Sequence, residues 1–307
     1  MKAYHIIALC LLQLFIVASC DSGQASGKPV LFEPNNVSTE IVEYGPSFSA
    51  SGQEMYFARS ADKWGQGPLT SAIYHSVKEN EMWSKPELVS FSGVYDDSDP
   101  HITNDRNTLY FISKRASETG QTSADIWKVN KDEDGKWGTP IRLQEPINSE
   151  GNEYSPKTDD QGNLYFASDR SGGYGQGDLY VAKTEGGQFA APANLGDAVN
   201  TDQGEWNLEI SRDGKILIFE ASGRPENVSS YGDLYISFKE NDGWTVPQNI
   251  TELNTSGSDL SACLTNKNKT LYYASSDSIK NPSVNIYRVD FKTIFDHYKK
   301  NATATEK

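Results

Sequence analysis

Five carboxylates recur at one position of a repeating pattern: Glu43, Asp97, Glu153, Glu205 and Asp259, at spacings of 54, 56, 52 and 54 residues. Each lies just before an innermost strand, so the five are expected to ring the mouth of a central channel, where acidic groups raise one another's pKa unless a cation or a hydrogen-bond donor intervenes. Three chemistries are open to such a ring. Each carboxylate can accept backbone N–H bonds, or pair with Arg115, Arg170 or Arg224 from neighbouring loops, and so be architectural. The ring can instead hold a basic ligand or a cation, and hard oxygen donors favour Ca2+ or Mg2+ over zinc. Two of the five can also serve as acid and base on a glycosidic bond, which requires carboxyls about 5–10 Å apart. Acid and base need unlike surroundings, whereas equivalent repeat positions suggest like ones. Binding therefore ranks above catalysis on this count.

Three aromatic residues stand apart from the strand patterns. Trp64, Tyr174 and Tyr231 lie beside Gly65-Gln66-Gly67, Gly175-Gln176-Gly177 and Gly232. In a loop, such rings stack on a sugar, grip a partner peptide or pin the loop itself. Other matches fail on context. The glycine-rich run 172–177 joins two strands where a phosphate loop would lead into a helix. His75, His101 and His297 lack metal-ligand spacing, and no Gly-x-Ser-x-Gly elbow is present. Cys263 falls on an apolar strand and reads as a small buried group.

The elements that must position these residues repeat about every 54 residues. Tyr56-Phe57, Tyr110-Phe111, Tyr165-Phe166, Ile218-Phe219 and Tyr272-Tyr273 mark one strand. Ile73-Tyr74, Ile126-Trp127, Leu179-Tyr180, Leu234-Tyr235 and Ile286-Tyr287 mark another, and Asp125, Asp178 and Asp233 precede three of them as structural hydrogen-bond acceptors. An aromatic-x-x-Pro unit follows in four repeats, from Trp83, Trp137, Phe189 and Trp244, and is expected to pack between neighbours as part of an outer strand. Aromatic and β-branched runs cut by Gly, Asn and Asp turns are strand chemistry. Four short strands per unit of this length make one blade of a β-propeller. The fifth unit lacks its last strand, but Lys28-Pro29-Val30-Leu31-Phe32 matches Thr139-Pro140-Ile141-Arg142-Leu143. The expected fold is all-β: a five-bladed propeller over residues 28–291, its last blade completed by the N-terminal strand. Tight turns at one face and loops of roughly ten residues at the other place the binding surface on the long-loop face.

The segments Pro46-Ser47-Phe48-Ser49-Ala50-Ser51-Gly52, Ser211-Arg212-Asp213-Gly214 and Ser168-Asp169-Arg170-Ser171-Gly172-Gly173 resemble the WD-like propeller repeat of TolB-type envelope proteins. The likeness spans nearly the whole repeat region and implies the fold. The additional α/β domain of TolB and the peptidoglycan-binding module of related proteins have no counterpart here, so no site residue is carried over.

The chain of 307 residues holds 42 acidic and 28 basic side chains, a net charge of −14. Such a surface disfavours phosphate backbones, and nucleic-acid binding is not expected. Residues 6–19 form an apolar run too short to span a bilayer. Val17-Ala18-Ser19-Cys20 resembles a lipoprotein lipobox, implying a leader at 1–19, lipid-modified Cys20, a flexible polar tether at 20–27 and a tail at 292–307 with a short helix near 293–300. Outside the leader only Cys20 and Cys263 remain, so an intramolecular disulfide is not expected. These features describe a monomeric, lipid-anchored propeller of the bacterial cell envelope, membrane-bound through its anchor. Its expected role is non-catalytic binding of an envelope protein or glycan, with a glycosidase-like carbohydrate-active enzyme as the alternative.

Overall fold

Antiparallel pairing of these short apolar runs builds five small sheets in a ring. The computed structural model describes residues 27–304 apart from 118, 119, 121, 242, 266, 279 and 282. Cys20, the leader and nearly all of the tether lie outside the described residues. The inner strands are Val42–Phe48, Asp97–Ile102, Glu153–Thr158, Gly204–Ile210 and Asp259–Thr265, in blades 1 to 5. Each pairs with the following strand, which pairs with a third and then a two-residue outer strand. In blade 5 that outer strand is Val30–Leu31, with Val30 opposite Arg288 and Leu31 opposite Tyr287. Phe32 follows, its N–H donating to the Ile286 carbonyl and its ring meeting Phe48, Trp83 and Tyr272. The protein is a five-bladed β-propeller closed by its N-terminal strand.

One detail differs from the sequence expectation. The aromatic-x-x-Pro units do not supply the outer strand. Trp83, Phe189 and Trp244 sit in short hairpins that prolong the third strand, while the outer strands Glu87–Leu88, Ala193–Asn194 and Gln248–Asn249 begin beyond the proline. Proline has no N–H for the ladder, so pairing restarts after it. The rings still seal the joins between blades: Trp137 of blade 2 stands edge-on to Tyr56 of blade 1. The buried clusters follow these seams, as with Leu109, Phe111 and Val129 of blade 2 against Tyr56 and Ile73 of blade 1. The C-terminal helix is longer than expected, Phe291–Ala304. Phe291, Ile294, Tyr298 and Ala302 form its apolar stripe, packed on blades 4 and 5. Among the described residues no helix is long and apolar enough to cross a membrane.

Candidate functional site

Three layers of side chains follow one another along the five inner strands. The first holds the predicted carboxylates. Glu43, Asp97, Glu153, Glu205 and Asp259 are all 0% exposed and open onto no channel mouth. Glu153 is held by Ser149 Oγ at 2.6 Å, Ser168 Oγ at 3.0 Å and Arg170 Nη2 at 3.0 Å. Glu205 has Thr201 Oγ1 at 2.7 Å and Arg224 Nη2 at 2.8 Å, and Asp97 has Ser113 Oγ at 2.6 Å and Arg115 Nη2 at 2.9 Å. Glu43 takes Thr39 Oγ1 at 2.5 Å and Arg59 at 3.2 Å. Each arginine also lies over at least two rings, such as Phe166 and Tyr180 under Arg170. Its other donors hold carbonyls of the incoming loop, Pro146 and Ile147 in that case. Carboxylate, arginine and aromatic pair together lock the loop that enters each blade.

Blade 5 lacks the cation. Asp259 accepts from Thr255 N at 2.6 Å and Ser275 Oγ at 2.6 Å, but Asp277 stands where blades 2 and 3 carry Arg115 and Arg170. Burial pushes Glu43, Asp97 and Glu153 above the usual carboxylate range against these donors. It carries Asp259 further, up to about 6. The aspartates before the third strands are likewise engaged: Asp125 with Arg142, Asp178 with Asn194, Asp233 with Asn249.

Two residues further on, every inner strand bulges. The bulge residues Gly45, Asp99, Ser155, Asn207 and Ser261 all have φ between 42° and 61°. A bulge of this kind re-aims the chain, and the bulges of neighbouring blades lie against one another. A Cβ on Gly45 would lie 3.5 Å from Asp99 Oδ1, and Ser155 N donates to Asp99 Oδ2 at 3.3 Å. Ser155 Oγ donates to the Leu208 carbonyl at 3.4 Å, and Ser261 Oγ to Asn207 Oδ1 at 3.4 Å. The Asn207 amide also donates to Glu220.

Glu220 breaks the repeat. It faces Trp206 across the strands, where the other blades place Ala58, Ile112, Ala167 and Ala274. Room for it comes from Gly232, whose missing Cβ would stand 2.1 Å from Glu220 Oε1. Burial, opposed by the Asn207 amide and reinforced by Asp259, Asp99 and Asp233, pushes Glu220 up to about 7. Burial also pushes Asp99 up to about 6, against the pull of the Lys157 ammonium. Around these groups stand half-exposed Tyr44, Tyr154 and Trp206, one residue past the locked carboxylates. Trp206 meets Tyr154 edge-on at 5.6 Å and lies over Gly177, where a Cβ would be 2.2 Å from the ring. Two carboxyls that burial pushes up, and of which Asp99 raises Glu220 through its charge, thus share this layer with an amide and several aromatic rings.

The third layer is Ser47, His101, Lys157, Glu209 and Cys263. Lys157 pairs with Glu209 at 3.5 Å, and Glu209 Oε1 accepts Leu264 N at 2.9 Å. Beyond this layer a cavity of about 420 Å³ opens at the tight-turn face, with strands of all five blades in its wall.

The loop residues named from the sequence are not drawn into one site. Trp64 Nε1 donates to Ser258 Oγ at 2.9 Å, and Trp64 and Tyr231 share a small cavity of about 110 Å³. Tyr174 and Tyr231 are 53% and 45% exposed. Arg115, Arg170 and Arg224 all belong to the locks. Among the described residues no group of three or more His, Cys, Asp or Glu could hold a metal ion. Sequence reasoning missed Asp99, Glu220 and the third layer. Their signal was the opposite of the one followed: positions on the same repeat that hold unlike residues.

No family model and no curated protein matches the chain. Solved structures match it in fold. A glycoside hydrolase is 10% identical with a TM-score of 0.56, covering 86% of this chain and 90% of its own. The GH43 endo-arabinanase of Bacillus licheniformis is 12% identical with a TM-score of 0.52, covering 82% and 94%. The alpha-L-arabinofuranosidase of Lactobacillus brevis is 12% identical with a TM-score of 0.51, covering 82% and 92%.

Proposed function

We propose that the protein is a carbohydrate-active propeller that hydrolyses a glycosidic bond at the long-loop end of its axis. The observation that carries this reading is Glu220, a carboxyl at a position where the other four blades bear only aliphatic side chains. Glu220 and Asp99 meet the requirement that acid and base occupy unlike surroundings. Glu220, beside the Asn207 amide and without an ion-pair partner among the described residues, holds its proton up to about pH 7 and gives it to the leaving oxygen. Asp99, drawn down by Lys157, is ionised above about pH 6 and attacks the anomeric carbon or takes a proton from water. Tyr44, Tyr154 and Trp206 offer ring faces to the C–H faces of a sugar. The arabinan-directed activities of the fold neighbours set the first substrates to try.

Sugar release from arabinan, aryl α-L-arabinofuranosides and a broader panel of polysaccharides tests the proposal. The expected result is turnover that Glu220→Gln lowers by about a hundredfold or more. Activity should rise as Asp99 loses its proton near pH 6 and fall as Glu220 loses its own near pH 7, so that Glu220→Gln removes the alkaline limb. Absence of turnover across the panel, or full activity in Glu220→Gln, sinks the hydrolase reading. The exposed rings of Tyr174 and Tyr231 favour the second reading: binding of an envelope glycan or protein by a propeller anchored through Cys20. That reading predicts a partner lost on Tyr174→Ala with no turnover in the native protein.

A further inference from the structure

We infer that the cavity at the tight-turn face is a second binding site, built for a small sugar that carries a carboxylate. The inference does not rest on the hydrolase reading, because the cavity wall includes none of Glu220, Asp99, Asn207, Tyr154 and Trp206, and only the charge of Lys157 reaches both sites.

Its volume of about 420 Å³ falls in the range of small-molecule sites, about 300–1,000 Å³. The rim carries Arg212 and Lys267, both exposed, and neither has an ion-pair partner among the described residues. In a chain of net charge −14, these are two exposed cations free of an ion pair at one mouth. The acidic residues of the same turns are already engaged. Asp213 accepts from Ser211 Oγ at 2.6 Å, Asp105 from Thr103 Oγ1 at 2.6 Å, and Asp160 from the Asn104 amide. Asp160 N also donates to the Arg212 carbonyl at 2.8 Å, which fixes the turn that presents the guanidinium.

The floor selects hydroxyls over charge. Thr158 N–H donates to His101 Nε2 at 3.0 Å, so the ring proton resides on Nδ1. Burial, with Lys157 and Arg212 nearby, holds the imidazole neutral. Nδ1–H is left as a fixed neutral donor without a partner among the described residues. Glu209 beside it repels an anion but accepts a hydrogen bond from a hydroxyl. Phe48 and Tyr272, with ring centroids 4.3 Å apart, give the wall an apolar patch for the C–H face of a ring. A ligand that fits places its carboxylate under Arg212 and Lys267 and its hydroxyls toward His101 and Glu209.

Calorimetric titration of the full chain with D-galacturonate and D-glucuronate tests this, with D-galactose, D-glucose and inorganic sulfate as controls. The expected result is saturable binding of at least one uronate and about tenfold weaker binding of the matching neutral sugar. Arg212→Ala and Lys267→Ala should each weaken uronate binding by about tenfold with an unchanged melting temperature, since both side chains are exposed. Failure of both uronates to saturate in the tens of millimolar overturns the inference. So do equal affinity for uronate and neutral sugar, undiminished binding in both variants, or sulfate that competes as well as the uronate, which would mean a generic anion site.

Discussion

The first and second layers of the inner strands lie two residues apart, yet they obey opposite rules. At the locking layer all five blades carry a carboxylate, and four of the five add an arginine over an aromatic pair. At the bulge the five residues are Gly, Asp, Ser, Asn and Ser, and the adjoining second strand brings Glu220 in one blade alone. Repetition accompanies fully buried carboxylates, each held by hydrogen-bond donors of its own blade. Divergence accompanies half-exposed aromatic neighbours and a carboxyl, Glu220, found in one blade alone. In this propeller, what recurs holds the blades, and what differs is where the proposed site is sought.

Three changes bear on that contrast. The largest effect is expected from Arg170→Ala, which leaves Glu153 buried without its cation at a cost of about 3–5 kcal/mol. Urea unfolding measures it, and a loss below about 1 kcal/mol would show the lock to be ornamental. A smaller effect concerns blade 5. The folded chain holds the Asp259 proton up to about pH 6, against an ordinary value of 3.8. The native state therefore binds more protons than the unfolded one between those values, and stability falls as pH rises through them. Asp277→Arg, which rebuilds the missing cation, should flatten that slope and raise stability at neutral pH by about 1–2 kcal/mol. A slope unchanged in this variant would mean that Arg and non-Arg blades do not differ as described. The smallest effect is expected from Trp206→Ala: KM for a cleaved glycan should rise about tenfold with kcat little altered, as for a lost stacking face. An equal loss in kcat would move Trp206 from binding to chemistry.

Much of the architecture was legible because closure and packing leave local marks. Val30-Leu31-Phe32 repeats the apolar pattern of Ile141-Arg142-Leu143, so the missing strand of blade 5 could be found at the other end of the chain. The position of the five carboxylates was equally plain from their spacing. Their orientation was not. Side chains alternate along a strand only until a bulge shifts the phase, and the residues at the bulge share no type that a repeat search would align. Their common property is a left-handed backbone, which Gly, Asp and Asn tolerate best. The outer strands were misplaced by a few residues because the tryptophans are more conspicuous than the two-residue pairings after each proline. Glu220 was overlooked because one glutamate in an otherwise aliphatic column is invisible to a method that seeks sameness.

The last blade is completed by the two-residue pairing of Val30 and Leu31 with Arg288 and Tyr287, backed by Phe32, while blades 1 and 5 also meet through Glu43 N–H on the Val284 carbonyl at 2.7 Å. The chain enters the sheet at that pairing, so tension applied at the N-terminal end loads it before any other. Val30 and Leu31 are themselves exposed, and only the Phe32 ring is buried behind them. A pull from that end strips the short strand first and bares the outer edge of blade 5, making this edge the weakest mechanical point of the closure.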